Sequence, residues 1–93
     1  MKLLFCDKCN DVFSLVEKSK WCSCEGCGGQ YLDNLNAVYW GDTATPIGFS
    51  NSSFVKAVIN RPKEGMGSKF EAFVIPIRCS TMKKITPPNK EQV

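Results

Sequence analysis

Five of the six cysteines in this chain fall within its first 27 residues, as Cys6-Asp7-Lys8-Cys9 and Cys22-Ser23-Cys24-Glu25-Gly26-Cys27. Two tight groups of thiols separated by a dozen residues are the spacing that a tetrahedral metal site needs. Each group folds into a knuckle that presents thiolates about 2.3 Å from one ion, and the intervening chain brings the knuckles together. The N-terminal third is therefore expected to be organised around a metal. It has too few apolar residues for a core of its own, and zinc held by four thiolates contributes an apparent ~10–16 kcal/mol to folding.

Cys6 and Cys9 form the first ligand pair. The second group offers three thiols for two places. Cys24 and Cys27 have a two-residue gap with Gly28 following, where zinc knuckles often need a positive φ. Cys22 and Cys24 have a one-residue gap that also chelates. The candidate metal ligands are thus Cys6, Cys9, Cys22, Cys24 and Cys27, with four of the five around one Zn2+ per chain. The fourth place is open between Cys22 and Cys27. A site closed by four thiolates has a structural role, because catalytic zinc keeps a position for water or substrate. The chain has no histidine, the usual partner of a serine or cysteine nucleophile. The expectation is a protein that is not an enzyme and has no small-molecule substrate.

At 93 residues, 43% hydrophobic and 23% charged, the composition is that of one globular domain. Met1-Lys2-Leu3-Leu4-Phe5 is too short for a signal-peptide core, and no apolar run approaches membrane-spanning length. A cytoplasmic location is expected, where clustered thiols bind metals instead of forming disulfides. Charge is uneven: residues 1–49 hold four lysines against six acids, and residues 50–84 hold seven Lys/Arg against two glutamates. That is a mild basic excess, below the density of a dedicated nucleic-acid binder.

Leu3–Phe5 reads as a short strand into the first knuckle. Val12–Val16 and Lys20–Cys22 read as arms of one hairpin that turns at Glu17-Lys18-Ser19. Gly28-Gly29 is expected to supply a sharp turn. Gln30–Leu32 and Ala37–Trp40 form a second hairpin across Asp33-Asn34-Leu35-Asn36. Thr43–Phe49, with Pro46 and Gly48, reads as a loop. Ser50-Asn51-Ser52-Ser53 offers capping side chains to a helix with one apolar face, Phe54, Val55, Val58 and Ile59, ended by Arg61-Pro62. Pro62–Ser68 is a loop with an exposed Met66. Phe70–Ile77 is the most strand-like segment, with Pro76 at its end or edge. Cys79 reads as a small buried residue. Trp21, Tyr31, Tyr39 and Trp40 suit a small core beside the metal better than base stacking.

The paired cysteine knuckles resemble the zinc-ribbon group over residues 3–32. Tyr31–Trp40, Pro46–Phe54 and Phe70–Pro76, with the cysteine head, resemble a set of small bacterial and phage proteins. In that set the second knuckle is Cys-x-Cys-Gly, which favours Cys22 and Cys24 as ligands. Here Glu25 stands at the glycine position. The fold class expected is α+β: a small four-cysteine zinc ribbon continuing into a β-rich half with one short helix. Residues 1–33 form the ribbon. Residues 34–79 form the β-rich half, with its helix at about 52–60, packed with the ribbon as a single domain. Residues 80–93 form a disordered tail. The function expected is that of an adaptor or regulator binding a cellular or host protein, and for a phage protein a modulator of a host machine. The alternatives are weak nucleic-acid binding through Lys56, Arg61, Lys63, Lys69, Lys83 and Lys84, and rubredoxin-like electron transfer, since four thiolates also hold iron. Ile47, Phe49 and Met66 are the candidate anchors for a protein partner.

Overall fold

The computed structural model describes residues 1–87. It is α+β, with two four-stranded sheets and one short helix. In chain order the elements are β1 (Lys2–Cys6), β2 (Val12–Ser14), β3 (Lys20–Trp21), β4 (Gly28–Tyr31), β5 (Ala37–Trp40), β6 (Ala44–Phe49), α1 (Asn51–Ile59), β7 (Ala72–Val74) and β8 (Met82–Lys84). One sheet has the order β2-β1-β6-β7 and the other β3-β4-β5-β8.

The hairpins are not the ones expected at the N-terminus. β2 pairs with β1 (Leu4 opposite Phe13), whereas β3 pairs with β4 (Trp21 opposite Gly28). Val12–Val16 and Lys20–Cys22 therefore belong to different sheets. The crossing point is Leu15-Val16: the Leu15 N–H donates to the Lys2 carbonyl in one sheet, and Val16 accepts from the Tyr31 N–H in the other. The irregular apolar run Val12, Phe13, Leu15, Val16 reflects this passage. The β4–β5 hairpin is as expected. Its turn is held by the Asp33 carboxylate, which accepts from the N–H groups of Leu35 and Asn36 and from the Asn36 side chain. The Asn36 side chain and these N–H groups hold the Asp33 carboxyl down to about 2.

Thr43–Phe49 is not a loop. Ala44–Phe49 is strand β6, flanked by β1 and β7. Pro46 is tolerated because a residue's N–H and C=O point the same way along a strand. Its carbonyl accepts from Ile75, so the missing donor faces the end of β7, beyond the ladder of that strand. The Phe70–Ile77 segment contributes only Ala72–Val74 as strand.

The expected tail is also corrected. Met82–Lys84 lies parallel to β5, with Ala37 opposite Met82. Met82 is completely buried, and the Ile85 N–H extends the pairing to Tyr39. The rest of that expectation, residues 88–93, lies outside the described residues. No helix among those described is long and apolar enough to cross a membrane.

The core lies between the sheets. Leu4, Cys6 and Phe13 come from one side, and Cys22, Cys27, Ala37, Tyr39 and Met82 from the other. Leu4 and Cys6 alternate with half-buried Leu3 and Phe5, as a one-sided strand requires. β5 is buried on both faces. Its second face puts Trp40 against Trp21, with ring centroids 5.3 Å apart. This indole explains Gly28, where a Cβ would come within 2.7 Å of Trp40 Nε1. Gly28 is thus a close-approach residue inside a strand and makes no sharp turn.

Met82 is the only buried residue of β8. Met82→Ala is expected to cost about 2–5 kcal/mol, read as a lower melting temperature, whereas Lys83→Ala on the exposed side leaves it nearly unchanged.

Candidate metal centre

The first knuckle follows β1. The Asn10 N–H closes onto the Cys6 carbonyl at 2.8 Å, and the Cys6 N–H donates to Asp11 at 2.9 Å. Asn10 supplies the left-handed residue this turn needs, at φ 61°. Asparagine is among the few non-glycine residues that adopt it readily. The second knuckle is built alike: the Glu25 N–H donates to the Cys22 carbonyl at 2.9 Å, and Glu25 has φ 59°. The left-handed position therefore directly follows Cys24. The glycine after Cys27 has no positive φ.

These two turns bring the sulfurs of Cys6, Cys9, Cys22 and Cys24 within 4.8 Å of one another. Cys6 Sγ lies 3.7 Å from Cys24 Sγ, and Cys22 Sγ lies 3.4 Å from Cys24 Sγ. Four thiolates at 2.3 Å around a tetrahedral ion stand about 3.8 Å apart, and these two separations lie on the close side of that value, so the donors are near the spacing one ion needs. None of the six cysteines is in a disulfide. Cys6 and Cys22 are buried, Cys9 is half-buried and Cys24 is exposed, so the cluster sits where the core meets the surface. A bound ion would link a knuckle of one sheet to a knuckle of the other.

Cys27, the fifth candidate, is not in this set. It is fully buried in the core with its thiol against Cys22 and Cys6. Burial first, and then the neighbouring sulfurs, push its thiol up. Of the two candidates for the fourth place, the geometry selects Cys22. Cys79 is half-buried at the edge of the core, its Sγ 3.4 Å from the Thr81 hydroxyl.

The electrostatics suit a cation. The Thr43 hydroxyl and the Cys9 backbone N–H bring Cys6 down to about 5. Cys22 is lowered despite burial, which opposes the shift, by the Cys27 N–H and neighbouring thiols. Cys24 is pushed up to about 12, because the Gly26 N–H, which favours its thiolate, is outweighed by the crowding of Cys22 and by burial. Thiols this close share their protons, and negative charge on one opposes it on the next. A dication removes that conflict, since it binds every ligand as thiolate.

Two supporting residues carry no mark in the sequence. Asp11, just past the first knuckle, accepts from the N–H and the hydroxyl of Ser23, the residue between Cys22 and Cys24, at 2.9 and 3.0 Å. It ties one knuckle to the other. Thr43 touches Cys6 Sγ at 3.3 Å, and its carbonyl accepts from the Asp7 N–H. Beside it, Gly41 has φ 98°, and a Cβ there would meet the Gly26 carbonyl at 2.5 Å. The aromatic candidates are engaged: Tyr39 and Trp40 are buried, Trp21 stacks on Trp40, and the Tyr31 hydroxyl accepts from the Lys2 N–H. No family profile, curated protein or solved structure matches this chain.

Serine at Cys6, Cys9, Cys22 or Cys24 is expected to release the ion and collapse the amide spectrum. Cys27→Ala should keep one ion per chain at a somewhat lower melting temperature. Metal analysis of the five variants checks both. Asp11→Ala should weaken metal affinity about 10–100-fold, as loss of an orienting partner does. Because protons compete for the thiolates, affinity falls as the pH is lowered, which a chelator competition across pH measures.

Proposed function

We propose that this chain is a zinc-ribbon-like adaptor or regulator without catalytic activity, which binds a cellular or host protein. The observation that supports it is that the cysteine cluster and the exposed apolar stripe of α1 lie on different parts of the chain. Four sulfurs close enough to hold one ion would leave it no position for substrate, while large apolar side chains are exposed on α1 and the segment after it. The ion holds the sheets together, and recognition falls to α1 and the segment after it. Zinc suits the four-thiolate set and adds no redox chemistry of its own.

The anchors expected from the sequence now differ in standing. Phe49 packs against Phe54 and Phe70, with centroids 5.6 and 5.1 Å away, so it serves the fold. Ile47 lies in β6 and is half-buried. Met66 is fully exposed and is the one available to a partner.

Affinity purification of the tagged protein from its own cells, with mass spectrometry, nucleic-acid staining and metal analysis, tests the reading. The expected result is one zinc per chain and a specific co-purifying protein. Met66→Asp should leave zinc content and melting temperature unchanged and weaken that capture. Nucleic acid alone in the eluate would move the reading to nucleic-acid binding. Stably bound iron with strong visible colour would move it to electron transfer.

A further inference from the structure

Helix α1 has no buried residue. Phe54 and Ala57 rest partly against the fold, but Val55, Val58 and Ile59 are 52%, 57% and 76% exposed. At positions i, i+3 and i+4 they form one unpartnered apolar stripe. Beside the stripe runs an open groove of about 380 Å³, lined by Phe54, Val58, Pro62 and Phe70 together with Arg61 and Lys63. On the other flank of the helix a second groove carries Lys56 and Lys69. Residues 50–71 hold these four cations and two acids, Glu64, which lines the first groove, and Glu71, which lines the second. Neither glutamate forms an ion pair with any of the four among the described residues, and the surface keeps an excess of two positive charges.

We propose that the α1 stripe and its groove are the docking site for an acidic amphipathic segment of a partner protein, one that seats apolar side chains in the groove and sets carboxylates against Lys56, Arg61, Lys63 and Lys69. This deepens the adaptor reading and rests on it. Charge selects the occupant. A second copy would set one net positive surface against another, which like-charge repulsion disfavours. A duplex would meet the cations but leave the apolar groove against phosphate and water. A bilayer would reach a convex stripe, whereas this apolar surface continues into a concave groove, which admits side chains. Apolar anchors in a groove with a charged rim are how helix-in-groove recognition works.

The test uses the metal-loaded full chain and four probes: a synthetic peptide with leucines at i, i+3 and i+4 and glutamates between them, its lysine-for-glutamate counterpart, phosphatidylglycerol vesicles and a random-sequence DNA duplex. The glutamate peptide is expected to bind, with amide shifts concentrated in residues 54–70. The double variant Ile59→Asp with Arg61→Glu changes only exposed side chains, so metal content and melting temperature should hold while affinity falls about tenfold or more. Failure of the glutamate peptide to bind, equal binding of both peptides, shifts centred elsewhere, or preference for vesicles or DNA would each overturn the proposal. Capture from native lysate with wild-type and double-variant baits separates the two levels. A partner held equally by both baits removes this surface and leaves the adaptor reading standing. A wild-type bait that holds no protein removes both.

Discussion

The four-sulfur cluster is the joint between the two sheets. Cys6 ends β1 in one sheet, Cys22 follows β3 in the other, and among the described residues no strand ladder connects these sheets. The core between them is thin, and three of its ten buried residues are cysteines: Cys6, Cys22 and Cys27. An apolar core of that size leaves little net stability in a chain this short. Metal binding worth about 10 kcal/mol or more would therefore exceed what the packing supplies. The Asp11–Ser23 contact and the Thr43–Cys6 contact gain their meaning from this. They help to fix the relative position of two hairpins that are also joined by the chain passing at Leu15-Val16 and by the Lys2 N–H donating to the Tyr31 hydroxyl.

Crowding sulfurs has its own cost, and the backbone is shaped to bear it. Both knuckles turn on a non-glycine residue in the left-handed region, Asn10 and Glu25. Asparagine tolerates this better than glutamate does, so the second knuckle carries the greater strain. A glycine at position 25 would relieve it. The cluster also selects among thiols by where the turn falls. Because the left-handed residue follows Cys24, the sulfurs of Cys22 and Cys24 converge on the first knuckle, and Cys27, just ahead of β4, is carried into the core.

What was legible in the sequence follows the strength of local signals. Cysteine spacing pointed to the metal cluster because ligand geometry is a short-range constraint. Asp33 and Asn36 pointed to the β4–β5 turn because their side chains bond to nearby backbone. The misses are tertiary. β6 contains Pro46 and Gly48, which read as loop, yet it becomes a strand because β1 offers it a partner from Lys2 to Cys6. β8 carries one apolar residue and two lysines. Only the burial of Met82 and the free edge of β5 make it a strand. The second ligand pair was open between Cys22 and Cys27, because both gaps chelate and only the position of the left-handed turn decides. Asp11 and Thr43 act across chain separations that no local pattern marks.

The helix shows the same dependence from the other side. Nine residues are too few to be helical alone in water, and α1 buries none of its side chains fully. It forms because its neighbours hold it. Phe54 enters an aromatic trio with Phe49 at the end of β6 and Phe70 ahead of β7, and the Ser53 hydroxyl accepts from the Glu71 N–H at 2.8 Å. Phe54 and Ser53 are thus what the fold asks of this helix. Val55, Val58 and Ile59 stand at helical spacing on the remaining face, and all three are more than half exposed. Polar residues there would have higher solubility and equal helix-forming capacity. Folding therefore gains little from this stripe, and its place beside Lys56, Arg61, Lys63 and Lys69 fits a surface that a partner covers.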